Sequence, residues 1–317
     1  MSKDLKIVFF GTPDFALDSL AQLESKFRIE CVVTNNDKKS GRGQKIKQSE
    51  VKKYAVKNNI KILQPENLED KKFVSKLSKI NADLFIVVAF RKLPYSVFSI
   101  PKLGTINLHA SLLPNYRGAA PINWCLINNE TKTGVTTFLI NENIDEGDIL
   151  LQNEILIDDD DNYGSLYKKL SNIGADLLVK TVNGIIKRDI KVIKQDYNKN
   201  YKLAPKLNKV NTRIKWNNPI FKILSQIKGL SPKPGAWTIM KNGDKDIRMK
   251  IIAAEEKVIQ FTNNYKAGKI IINNGELHVI TRSGVINCTR IQLENKREMN
   301  ATDLINGLKF YENSSVS

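Results

Sequence analysis

The chain has 317 residues, 41% of them hydrophobic, with 50 Lys and Arg set against 33 Asp and Glu. That length fills two domains or one large one, and a net charge of +17 suits a polyanionic partner, nucleic acid first among them. No apolar run approaches a membrane span, residues 1–6 open no secretory signal, and Cys31, Cys125 and Cys288 lack metal-ligand or redox spacing, so no metal and a cytoplasmic setting are expected.

In chain order, residues 6–10 read as a short apolar strand. A turn at Gly11-Thr12-Pro13 leads into an amphipathic helix from Asp14 to about Leu23, with Asp14 as its cap. The turn has neither G-x-G-x-x-G nor a Lys-Ser/Thr pair after its glycine, so it is no nucleotide loop. Residues 29–34 read as a second strand. The loop 37–47 then carries Lys38, Lys39, Arg42, Lys45 and Lys47 around two glycines. Such a loop suits phosphate contact and ordering on binding, and composition alone fits a solvated loop equally well. Residues 49–58 and 71–80 read as helices, and 60–63, 84–89 and 134–140 as strands. This alternation predicts a doubly wound, mostly parallel α/β sheet, with sites beyond the carboxyl ends of its strands.

A helix over 163–186 closes this first domain, expected to span 1–188. A basic linker over 189–208 follows, and a second domain fills 209–317. Between residues 187 and 215 lie ten basic residues against Asp189 and Asp196. Lys, Asn and Ile crowd the whole chain, so coding bias explains part of the charge, and the clustering reads as a footprint for RNA. Residues 220–227 are helix-like. The runs 247–253, 257–261, 268–272, 277–281 and 285–292, broken by Asn-Gly and Ser-Gly turns, predict a small β-barrel.

Residues 107–121 read Asn-Leu-His-Ala-Ser-Leu-Leu-Pro-Asn-Tyr-Arg-Gly-Ala-Ala-Pro and hold one of only two histidines. The preceding residues 104–106 read as a strand, on which i and i+2 share a face. Asn107 and His109 therefore project together, an amide donor beside an imidazole, able to stabilise an oxyanion and handle a proton. Asp145, in the segment after the strand 134–140, is the candidate third member. A carboxylate there pairs with the charged imidazole and fixes its tautomer. Taken alone, His109 fits better as a satisfied core histidine and Asp145 as a turn residue before Gly147. Arg117 suits RNA phosphate, the anionic tail of a bound ligand or a structural pairing equally.

The runs "KIVFFGTPDFA", "NLHASLLPNYRGAAPI" and "TGVTTFLINENIDEGDIL" together resemble the folate-dependent formyltransferases, in that family's order and over nearly the whole chain. The resemblance implies Asn107, His109 and Asp145 as the catalytic centre. It implies Ser111, Leu112, Leu113 and Pro114 as a folate-contacting element, with Phe90, Arg91 and Leu93 at the pterin-holding turn. There Phe90-Arg91-Lys92 replaces the usual Ala-Tyr-Gly pattern in a slightly shorter loop. It implies 10-formyltetrahydrofolate as the formyl donor, no metal, and an OB-like form for the C-terminal barrel. A basic insertion after the second strand marks the branch acting on tRNA, so Arg42, with Lys38, Lys45 and Lys206, is the expected RNA contact. The implied partner is initiator methionyl-tRNA, formylated on its α-amino group for translation initiation by a monomer. The rival readings are a formyltransferase acting on an amino sugar or glycinamide ribonucleotide, and a non-catalytic RNA-binding protein.

Overall fold

The first strand, β1 (Lys6–Gly11), buries Ile7, Val8, Phe9 and Phe10 completely, as a parallel strand covered on both faces must. The computed structural model of which it is part describes residues 4–40, 45–196, 200–259 and 265–317. After β1 come a single 3-10 turn (Asp14–Ala16), α1 (Leu17–Lys26), β2 (Arg28–Val33), β3 (Lys38–Ser40), β4 (Lys45–Lys47), α2 (Glu50–Lys57) and β5 (Ile62–Leu63). Next are α3 (Lys71–Ser78), β6 (Leu84–Val88), α4 (Tyr95–Phe98), β7 (Thr105–His109), β8 (Arg117–Gly118), α5 (Pro121–Ile127), β9 (Lys132–Leu139), β10 (Ile149–Leu156) and α6 (Tyr163–Lys187). The chain continues through β11 (Leu203–Ala204), α7 (Ile220–Leu230), β12 (Ala236–Asn242), β13 (Lys245–Lys257) and β14 (Ile270–Asn273). It ends with β15 (Glu276–Ile280), β16 (Val285–Leu293), β17 (Met299–Asn300), α8 (Ala301–Gly307) and β18 (Ser315–Val316).

These elements form two units. One comprises Met1–Gly118, Lys132–Leu156 and Tyr167–Leu203; the other comprises Ala119–Thr131, Ile157–Leu166 and Ala204–Ser317.

The first unit is built on a seven-stranded sheet in the order β10-β9-β7-β6-β1-β2-β5. The run from β7 to β5 is parallel, while β9 and β10 join antiparallel. Val8, Phe10, Phe85 and Val87 share one face with Phe73 and Leu77 of α3 and Val97 of α4. The opposite face takes α6: Thr137 and Thr181 hydroxyls lie 2.8 Å apart, and a Cβ on Gly174 would come within 2.7 Å of Leu108 Cδ2. Glycine there lets the Leu108 side chain pack directly against the helix backbone. From β1 the chain builds first toward β5 and then, restarting at β6, toward β7. The C-terminal ends of β1, β6 and β7 thus flank the topological switch point where α/β sheets hold ligands.

The second unit contains an antiparallel path β14-β15-β16-β13-β12-β18, and a Lys269–Ser315 bridge joins its ends. β13 supplies the bend: its pairing with β16 shifts register between Ile251 and Ala254, the local kink a bulge introduces. The resulting OB-like barrel is filled by Met240, Met249, Ile251, Leu277, Val279 and Ile291. Ile223 and Leu230 of α7 and Leu304 of α8 pack on the same core.

Several sequence expectations need correction. Residues 257–261 do not begin a strand of their own, because Lys257 is the last residue of the thirteen-residue β13, and residues 260–261 lie outside the described part. Asp14 is not a helix cap; it lies inside the 3-10 turn, and its carboxylate accepts the Tyr167 hydroxyl instead. β10, β12, α5 and α8 were not anticipated. Among the described residues no helix is long and apolar enough to cross a membrane.

Candidate active site

β7 carries Asn107 and His109 to its C-terminal end, with Asn107 between Val87 of β6 and Phe138 of β9, and His109 opposite Thr136. Their shared face follows from the two-residue repeat of the strand. His109 is buried, and its Nε2 lies 2.8 Å from the Tyr116 carbonyl. A carbonyl only accepts, so Nε2 carries a proton and Nδ1 is the nitrogen turned toward Asp145, whose Oδ2 is 3.7 Å away. Among the described residues no protein group is hydrogen-bonded to the Asn107 side-chain amide, which leaves its donors available at the half-buried strand end.

Asp145 arrives from the loop between β9 and β10. Its backbone is left-handed (φ 56°), and Oδ2 accepts the Gly118 N–H at 2.9 Å. The loop doubles back so tightly that a Cβ on Gly147 would lie 1.6 Å from the Leu139 carbonyl oxygen, so only glycine fits there. Two further groups hold the loop. The buried Gln195 amide donates to the carbonyls of Asp145 (3.0 Å) and Gly147 (2.7 Å), and its oxygen accepts from Arg117 Nε (3.1 Å) and Nη2 (2.7 Å). Arg117 Nη1 also lies 3.3 Å from Glu146 Oε1. Of the three open roles for Arg117, the one visible here is structural pairing. Gln195 escaped sequence reading entirely: its partners are 48 to 78 residues away and it lies in a basic stretch without periodicity.

The formyl transferase family model matches residues 5–182, and the model of the formyl transferase C-terminal domain matches residues 206–309. The methionyl-tRNA formyltransferase of Flavobacterium johnsoniae is 44% identical over 313 residues, covering 98% of this chain and 99% of that one. That of Bacteroides thetaiotaomicron is 40% identical over 312 residues, covering 97% of each. The chain belongs to the methionyl-tRNA formyltransferase family. Solved structures of more distant proteins share the fold. WlaRD, a sugar 3N-formyl transferase solved with dTDP and 5-N-formyl-THF, superposes with a TM-score of 0.63 at 23% identity, over 92% of this chain and 99% of its own. The Helicobacter canadensis N-formyltransferase, solved with folinic acid and dTDP-3-aminofucose, gives 0.61 at 22% identity, over 90% and 98%.

Within this member of the methionyl-tRNA formyltransferase family, the segment after His109 is fastened from inside. Ser111 is fully buried and its hydroxyl donates to the Asn115 carbonyl (2.7 Å), while Thr136 donates to the Ser111 carbonyl (2.7 Å) and accepts from the Leu113 N–H (3.1 Å). Leu113 packs against Phe138 and Ile149; Leu112 and Pro114 are half-buried. The side chains of Ser111 and Leu113 are thus committed to the interior, and Leu112 and Pro114 are the more accessible pair. At the turn after β6, Phe90 meets Phe10 edge to face, and Leu93 is buried beside α4. Arg91 donates to the carbonyls of Glu66 (2.9 Å) and Pro65 (2.8 Å), and burial lowers its guanidinium from the ordinary arginine value. It clamps a neighbouring loop.

Lys38 is exposed on β3 and Lys206 is exposed in the second unit. Lys45 opens β4; Arg42 lies outside the described residues. Among the described residues no cluster of three or more His, Cys, Asp or Glu is placed to hold a metal ion.

Proposed function

We infer that the protein transfers the formyl group of 10-formyltetrahydrofolate to the α-amino group of methionine on initiator tRNA, in the cytoplasm, for translation initiation. The observation that carries this reading is likeness over the full length, through both family domains, to methionyl-tRNA formyltransferases. In the division of labour proposed, residues 1–188 hold the chemistry, and the barrel over 209–317, with Arg42, Lys38, Lys45 and Lys206, holds the tRNA. Residues 90–93 and 111–114 line the folate side.

The amine nitrogen attacks the formyl carbon, the carbonyl oxygen becomes an oxyanion, and the bond to N10 breaks as N10 takes up a proton. Asn107 donates to the oxyanion. His109 keeps Nε2 on the Tyr116 carbonyl at 2.8 Å, while Asp145 Oδ2 stands 3.7 Å from Nδ1, within ion-pair range but too far for a hydrogen bond. A substrate oxygen that accepts from Nε2 must therefore displace the Tyr116 carbonyl. Asp145 supports the imidazolium and, through water, relays the amine proton to N10.

The test is formyl transfer to initiator methionyl-tRNA, run beside elongator methionyl-tRNA and free methionine. Rapid transfer to the initiator alone is expected. His109→Ala and Asp145→Ala should keep the fold and lower the rate by roughly 10²–10⁴. Near-normal single-turnover rates in both variants would sink the assignment.

A further inference from the structure

We propose that Gln195 is a positioning residue for the reaction, acting with Arg117 to hold Asp145 in its working conformation. The proposal rests on the functional reading above. Gln195 is 4% exposed, and its amide uses its full hydrogen-bonding capacity. Both N–H donors go to carbonyls on either side of Glu146, and both oxygen lone pairs take the Arg117 fork. The next residue along from Arg117 completes the circuit: the Gly118 N–H donates to the Asp145 carboxylate itself (2.9 Å). Asp145 thus has its backbone carbonyl and its carboxylate tied to one Gln–Arg pair. It needs such ties, because a non-glycine residue with φ of 56° keeps that backbone only where its surroundings dictate it. Gln195 is anchored in turn two residues upstream, where Ile193 and Ile149 exchange both backbone hydrogen bonds (2.8 and 2.9 Å).

The chemistry selects glutamine. Glutamate in its place would still receive Arg117 but would set carboxylate oxygens against two carbonyl oxygens, pushing the loop away. Gln195→Glu is therefore the informative variant. Formyl transfer to methionyl-tRNA should show kcat lowered at least tenfold, with KM for both methionyl-tRNA and 10-formyltetrahydrofolate within about twofold of the wild type. A residue acting through Asp145 also predicts non-additivity. In the Asp145→Ala background, Gln195→Glu should cost less than about twofold in single-turnover rate, whereas a merely structural role would repeat its full cost there. If Gln195→Glu does not fold, as judged by melting, Arg117→Lys replaces it in the same cycle, since lysine cannot reproduce the fork. Unchanged kcat, or full additivity with Asp145→Ala, overturns the proposal. A wild-type protein that formylates no methionyl-tRNA would instead overturn the functional reading.

Discussion

The chain's other histidine, His278, behaves quite unlike His109. It is fully buried on β15, where Glu276 Oε2 lies 3.3 Å from Nε2 and the Asn273 backbone is the other polar neighbour of the ring. Burial pulls its pKa below the ordinary histidine value; Glu276 opposes the shift and Lys257, itself 3.0 Å from Glu276, adds to it. The folded chain therefore resists a proton that the unfolded chain accepts. Its contribution to stability is complete above the ordinary histidine range and is lost as pH falls through the lowered folded value. Melting temperature should drop further between about pH 8 and about pH 5 in the wild type than in His278→Leu; equal drops would show that His278 does not titrate on unfolding.

At the scale of elements, α3 shows how a local signal sets a helix where the sheet needs it. Asp70 Oδ1 accepts from the Lys72 (2.7 Å) and Phe73 (3.0 Å) N–H groups, and the helix so started lays Phe73 and Leu77 on the sheet. Asp70→Ala should cost about 1 kcal/mol in urea denaturation; no loss would mean the packing alone fixes the helix start. The all-apolar strands β1 and β6 were legible because covered parallel strands carry unbroken hydrophobic runs. β10 was not, since Ile149–Leu156 interrupts its apolar residues with Gln152, Asn153 and Glu154, as a half-exposed strand does. α5 is two turns long and α8 opens on an Asn300–Asp303 capping box that precedes no long apolar period. In the site, Asn107 and His109 were legible from strand periodicity. Asp145 needed the family resemblance, and Gln195 gave no local signal because its partners are far away in sequence.

For the whole molecule, the charge of +17 makes RNA affinity a function of salt. Each phosphate neutralised steepens the slope of log K against log salt by roughly 0.7–0.9. Filter binding of methionyl-tRNA across a salt series should therefore give a slope several units negative. Lys38→Ala should make it shallower by about one unit; an unchanged slope would remove β3 from the RNA footprint. The sheet that carries Asn107 and His109 has its own whole-molecule consequence at its margins. One edge, β5, is two residues long. The other, β10, has its first residue paired off by Ile193, and farther along Glu154 holds Lys132 at 2.9 Å. The same short strand contact that anchors Gln195 thus shortens an open edge, and charge guards what is left. Each such contact trims what a strand of another copy can template on, so the segment that holds the loop carrying Asp145 also narrows the edge open to edge-to-edge aggregation.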